Sequence, residues 1–161
     1  MRIAVVGARE PAPPALALAE AVGREIGRGG HTLVCGGLGG VMEAACRGAR
    51  AERGHTIGIL PGDEAAAANP YVEFAIPTGL GVARNALVAR AGDAMIAIDG
   101  SYGTLSEIAF ALQFGRPVVG LGTWTVDDGS GADPLIRVDA PAAAVAAAVA
   151  AAASNGSPRS R

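Results

Sequence analysis

The chain has no lysine: all thirteen Lys/Arg positions in its 161 residues are arginine. A side-chain amine nucleophile is therefore missing, which excludes Schiff-base chemistry of the pyridoxal phosphate or aldolase kind. The Walker A loop, whose lysine sits on the phosphates, is excluded with it. Aromatic residues make up only 4% of the chain, so the core must come from Val, Ile, Leu and Ala in closely packed elements. Two cysteines, Cys35 and Cys46, are too few for a disulfide framework or a thiolate metal cluster. Both fall in apolar stretches and read as buried free thiols, the usual state in a reducing cytoplasm, where the chain is expected to reside. No apolar run approaches the ~18–20 residues of a membrane span, and Met1 leads straight into a strand pattern without signal-peptide features. A net charge of −2 promises no cationic face, so nucleic acid is not an expected partner.

What the chain has in abundance is alanine (36) and glycine (24). Short apolar runs at 3–6, 32–35, 56–60, 72–76, 94–98, 117–121 and 135–138 read as strands. Between them lie segments of helical spacing, among them 80–91, 103–114 and 141–153. Uninterrupted apolar strands alternating with helices predict an α/β fold: a three-layer, doubly wound, mainly parallel sheet of about six to seven strands. A single domain is expected over 1–153, with a disordered tail over 154–161. Residues 63–69 read as a loop or flap, and 122–134 as a surface loop carrying Trp124, the only tryptophan.

His31 and His55 each precede a strand, which puts them at the N-terminal edge of the sheet. Ligands of open α/β sheets bind beyond the opposite edge, so both histidines read as structural or solvated. The candidate site residues follow the C-terminal ends of the strands. They are Gly7; the turn Gly36-Gly37-Leu38-Gly39-Gly40; Thr78, with Arg84 in the next helix; and the run from Asp99 to Glu107. With a strand order of 3-2-1-4-5, the crevice would open between the first and fourth strands.

Glycine-rich strand-to-helix turns offer backbone N–H groups and a helix N-terminus to an anion. Gly100, Ser101, Gly103 and Thr104 would hold a phosphate, and Gly7, Gly36, Gly37, Gly39 and Thr78 would line the rest of the ligand site. Close helix–strand packing demands glycine equally. Neither turn matches G-x-G-x-x-G with an acidic residue about twenty positions on, which disfavours NAD. Glu107 lies three residues beyond Thr104, on the same side of its helix; by spacing alone it and Arg84 could equally be ordinary helix charges.

At these residues the sequence resembles the LOG (Lonely Guy) family. Its GG-x-x-G-L-M turn is matched by Gly36 to Met42, its G-x-V-I-G-V-I-P strand by Gly54 to Pro61, and its P-G-G-x-G-T-x-x-E run by Asp99 to Glu107. The Arg-Lys of its M-H-E-R-K motif falls on Arg84-Asn85, and the match covers about residues 1–122. The resemblance implies a Rossmann-like fold and a homodimer or higher homo-oligomer; with two cysteines and both histidines at the other sheet edge, no metal is expected, nor any cofactor. It also implies hydrolysis of the N-glycosidic bond of nucleoside 5′-monophosphates, releasing base and ribose 5-phosphate, with Arg84 and Glu107 as the catalytic pair.

Three departures are visible. Asn85 replaces the lysine, Val82-Ala83 replaces His-Glu, and Asp99-Gly100-Ser101 replaces Pro-Gly-Gly. Asp99 would weaken phosphate binding unless it points away. Together with Asn69-Pro70-Tyr71, these changes resemble a divergent bacterial subgroup that is similar to molybdenum cofactor carrier proteins and, distantly, to the DNA-processing protein fold. Two functions follow as expectations. One is the phosphoribohydrolase, favoured by the retained Arg84 and Glu107. The other is a noncatalytic carrier of molybdenum cofactor or another phosphorylated heterocycle, favoured by the lost lysine and the altered turn.

Overall fold

The computed structural model describes residues 1–155. Seven strands run β1 (Arg2–Gly7), β2 (Thr32–Cys35), β3 (His55–Leu60), β4 (Phe74–Pro77), β5 (Ala94–Ile98), β6 (Val118–Leu121) and β7 (Ile136–Arg137). The helices are α1 (Pro13–Arg28), α2 (Val41–Ala51), α3 (Asn85–Ala91), α4 (Tyr102–Gln113) and α5 (Pro141–Asn155). The sheet order is β4-β3-β2-β1-β5-β6-β7, and every neighbouring pair is parallel.

Ile3 and Val5 of β1 face a layer built on α1, α2 and α5, while Ala4 and Val6 face the layer of α3 and α4. A strand covered on both faces has no solvated side, which is why these runs do not alternate in polarity. Pro13 and Pro14 start α1, where their missing N–H groups cost no helical bond. Further along, α1 meets α2 at glycines: a Cβ on Gly23 would overlap the Ala45 carbonyl, and one on Gly48 would overlap that of Glu20. At the rim of this contact Glu20 pairs with Arg24 at 3.0 Å and Arg47 at 2.8 Å, half-exposed bridges of small energetic weight.

The architecture expected from the sequence is present, with corrections. The fourth strand lies beyond β3 at the sheet edge, so β5, not β4, flanks β1. The connection from β3 holds only a 3-10 turn, Ala65–Ala67, and carries the chain no further than the neighbouring position. The expected helix 80–91 is split into a 3-10 turn, Gly81–Arg84, and α3. Gly79 (φ 64°) and Gly81 (φ 56°) hold left-handed conformations that an α-helix cannot include. At the C-terminus α5 continues through Ser154 and Asn155, so these two residues are helical; the rest of the expected tail, 156–161, lies outside the described residues.

Cys35 and Cys46 are free and fully buried, their Sγ atoms 3.5 Å apart. His31 immediately precedes β2 and His55 opens β3, at the sheet edge away from the crevice described below. His55 pairs with Glu73 at 2.8 Å. Among the described residues no helix is long and apolar enough to cross a membrane.

Candidate functional site

Strands β2, β3 and β4 are added on one side of β1, and β5, β6 and β7 on the other, so the winding reverses between β1 and β5. Ligands of open α/β sheets bind at such a reversal, beyond the strands' carboxyl ends. A crevice of about 160 Å³ opens there. Its walls are Gly7 at the end of β1 and Arg9 beyond it, Leu38 and Met42 from the glycine turn and α2, Val82, Arg84 and Asn85 before and in α3, and Ser101, Gly103, Thr104 and Glu107 at the start and in the first turns of α4.

Arg84 is the centre of this arrangement. It is only 7% exposed, and its Nε and Nη1 have no hydrogen-bond partner. Its guanidinium lies across Gly36: a Cβ at that position would stand 2.7 Å from Cζ. Glycine is thus required at 36 to make room for an arginine nearly fifty residues away. The nearest acid is Glu107, whose Oε1 is 3.7 Å from Nη1, too far for a hydrogen bond. Burial lowers the Arg84 pKa against the opposing pull of Glu107. The same desolvation pushes Glu107 up to about 7, overriding the attraction of Arg84. A buried cation therefore sits beside a carboxyl that holds its proton near neutrality.

This has a consequence for stability. An unfolded glutamate titrates near 4.5, so between that pH and about 7 the native chain holds a proton that the unfolded chain has lost. The stabilisation is complete below about pH 4.5 and is lost as the pH rises through 7, a change of about 3 kcal/mol. Glu107→Gln removes the titration. In urea denaturation, wild type should lose about 3 kcal/mol relative to Glu107→Gln between pH 4.5 and 8; a pH-independent difference would contradict this.

On the opposite wall, Thr104 Oγ1 accepts the Ser101 N–H at 3.3 Å, closing the first turn of α4 and leaving the hydroxyl proton for a ligand. The Ser101 side chain in turn accepts the Thr104 N–H, a capping box that leaves the N–H groups of Tyr102 and Gly103 without an intrahelical acceptor. Asn85, at the place where the resembling family has lysine, is committed to structure. Its Nδ2 donates to Ser106 Oγ at 2.9 Å and to the Gly103 carbonyl at 3.4 Å, tying α3 to the start of α4. Asp99, in a left-handed conformation (φ 53°), lines a separate recess with Gly100, Gly122, Thr123 and Trp124. Its charge is therefore not a wall of the crevice.

Of the candidate residues, Gly7, Arg84, Ser101, Gly103, Thr104 and Glu107 meet in one place. Gly36 supports Arg84 from behind, and Gly100 belongs to the Trp124 recess. Gly37 packs on Leu60 and Gly58, and Gly39 has Glu43 as its nearest neighbour; neither lines the crevice. Thr78 donates to the Leu60 carbonyl at 2.7 Å, tying the end of β4 to the end of β3, and does not line the crevice. Arg9 and Trp124 were not among the candidates. Arg9 stands two residues beyond the end of β1, a position that marks it. Trp124 carried no local signal: its Nε1 donates to the Ser101 carbonyl at 3.1 Å, and its ring lies 5.7 Å from that of Tyr102.

The reversal of winding, with a buried arginine and the start of α4 at its mouth, defines a Rossmann-like α/β protein with a compact polar crevice. The chain belongs to the SLOG cluster4 family, whose model matches residues 1–145. It is 42% identical over 121 residues to an uncharacterized protein of Archaeoglobus fulgidus, covering 75% of this chain and 80% of that one. Among solved structures it is similar to the molybdenum cofactor binding protein of the phototrophic bacterium Rippkaea orientalis. The identity is 33% and the TM-score 0.85, with 92% of this chain and 95% of that one covered. It is equally similar to the molybdenum cofactor carrier protein of Chlamydomonas reinhardtii, at 33% identity and a TM-score of 0.84, over 94% and 98% of the two chains.

Proposed function

We propose that this protein is a cytoplasmic carrier that binds a phosphorylated heterocycle of the molybdenum cofactor type in the switch-point crevice and releases it unchanged. The observation that carries this reading is the Arg84 guanidinium, buried beside the start of α4 with two nitrogens lacking any acceptor. An unpaired buried cation is costly, and an anionic ligand compensates it. The phosphate sits at the start of α4 and accepts a hydrogen bond from the Thr104 hydroxyl, while the ring lies among Leu38, Met42 and Val82. Asn85 offers no charge to a reacting group, in keeping with binding rather than turnover. The likeness to two molybdenum cofactor proteins over nearly their whole length supports the same ligand class.

The test is direct loading. Protein incubated with molybdenum cofactor and desalted should retain the pterin, measured by fluorescence after oxidation, at near one per site. Trp124 emission should change on binding, because its indole is bonded to the phosphate turn. Protein that keeps no pterin and shows no response to phosphorylated pterins or nucleotides would end this reading.

One observation favours a second reading within the resembling LOG-type chemistry. A carboxyl titrating at about 7 is suited to acid–base work near neutrality. Water would add across the N-glycosidic bond, giving free base and ribose 5-phosphate, with Glu107 stabilising the cationic sugar or positioning the water. Base release from a panel of nucleoside 5′-monophosphates, absent in Glu107→Gln, would establish it; no release by wild type would remove it.

The protein also self-associates in this proposal. On the α3/α4 side, the edge strand β4 leaves Phe74 and Ile76 exposed, and Leu80, Val82 and Leu87 are exposed in the segment that follows it. Sedimentation should give a dimer or larger species, and a monomer at all concentrations would contradict it.

A further inference from the structure

Glu107 presents an unmet requirement of its own. The residue is 7% exposed and lines the crevice, and its carboxyl receives no N–H or O–H hydrogen bond among the described residues. Arg84, at 3.7 Å, contributes charge but no bond. A carboxylate is an acceptor only, with room for two donors side by side. The crevice thus sets a pair of unfilled acceptors next to a cation, and its apolar walls, Leu38, Met42 and Val82, suit the faces of a flat ring.

We infer that Glu107 reads the ligand's ring by accepting two N–H bonds from a 2-amino-4-oxopyrimidine edge, with the adjacent oxo group accepting from one N–H of Arg84 while the other guanidinium N–H groups serve the phosphate. In such a ring the amino group and the ring N–H point the same way as a bidentate donor, and the carbonyl stands beside them as an acceptor. That order of two donors and one acceptor complements a carboxylate flanked by a guanidinium. Pterins and guanine share this edge. Adenine, with an acceptor nitrogen where these rings have N–H, and hypoxanthine, without the 2-amino group, do not. Glu107 is in this role a specificity residue. Its burial raises the discrimination, because a ring that leaves one carboxylate oxygen unbonded strands it away from water. A carboxylate holding its negative charge suits the contact best, and the donors of the correct ring favour that ionised form.

This inference rests on the proposed binding of phosphorylated heterocycles in the crevice, and the experiment separates the two. Guanosine, inosine and adenosine 5′-monophosphates share phosphate and ribose and differ only in the ring edge. Their affinities, with that of 6-hydroxymethylpterin phosphate, can be measured calorimetrically at pH 8. Wild type should bind the guanosine and pterin compounds about tenfold more tightly than the inosine compound, and the adenosine compound more weakly still. Glu107→Gln, which keeps one acceptor and adds a donor, should flatten the series. Equal affinity for all the nucleotides in wild type would place their shared ribose or phosphate at Glu107 and overturn the inference while leaving the carrier reading intact. A guanosine preference that survives in Glu107→Gln would also overturn it. Binding of none of these ligands would overturn the carrier reading and the inference together.

Discussion

Arg84→Met is expected to weaken binding of a phosphorylated heterocycle by about a hundredfold or more, with no loss of folding stability near pH 6. A buried arginine usually anchors a network whose loss exposes other unpaired groups. Here the network is almost empty. Arg84 Nε and Nη1 have no partners, and Glu107 stands 3.7 Å off without a hydrogen bond. At pH 6 Glu107, titrating at about 7, already holds its proton for the most part, so removing the cation strands no anion. Methionine keeps most of the apolar stem, gives up the guanidinium that lies over Gly36, and with it removes a cation whose Nε and Nη1 have no hydrogen-bond partner. Two charge-assisted hydrogen bonds to an anionic ligand, each worth about 1.5–3 kcal/mol, disappear with it. Calorimetric titration and a thermal melt of the same preparation decide the matter. Wild-type affinity in the variant would show that the guanidinium is not the anchor. A large fall in melting temperature would make it a structural residue.

The sequence carried much of this arrangement, unevenly. Strands β1 and β5 were legible because burial on both faces writes a continuous apolar run, and Gly7, Ser101, Gly103, Thr104, Arg84 and Glu107 followed from what comes after strand ends. Strand order was less legible: an apolar run says that a strand is covered but not which strand lies beside it, and the fourth strand went to the edge. Phe74 and Ile76 look like core residues in the sequence, yet no helix covers them. Gly36 was visible as a glycine, but the guanidinium that occupies its missing Cβ comes from a distant element. Asn85 read as a lost charge, whereas its amide holds α3 to α4, a role visible only when Gly103 and Ser106 are placed beside it. Asp99 read as a repulsive neighbour of the phosphate turn. Its backbone conformation, rare for a residue with a side chain, accompanies its placement in the Trp124 recess instead.

Gly48→Ala should destabilise the fold by about 2 kcal/mol or more, against the ordinary expectation for a helix. Alanine in place of an interior helical glycine is normally worth about 1 kcal/mol in the opposite direction. The difference lies in what the new methyl would meet. A Cβ at Gly48 overlaps the Glu20 carbonyl and stands 3.0 Å from the Arg24 nitrogen, both backbone atoms of α1 that no side-chain rotation can move. Relief requires shifting α1, which carries Ala15, Ala19, Val22 and Ile26 in the core. A fall in melting temperature of roughly 5 °C or more should follow. Gly62→Ala is the control: its Cβ meets nothing within 4 Å, and its stability should change by no more than about 0.5 kcal/mol.

The consequence extends to the crevice. The N-terminal residue of α2, Val41, donates its N–H to the Ala8 carbonyl at 3.1 Å, and its Cγ1 would lie 2.6 Å from a Cβ on Gly7. Gly48→Ala forces α1 and α2 apart, and α2 is the helix that closes on β1 at the crevice and supplies Met42 to its wall. Ligand affinity should fall together with stability in this variant and in Gly23→Ala, whose Cβ overlaps the Ala45 carbonyl, and should be unchanged in Gly62→Ala. Destabilisation with undiminished affinity would show that the crevice is held by β1, α3 and α4 alone, and that the α1–α2 contact serves only the fold.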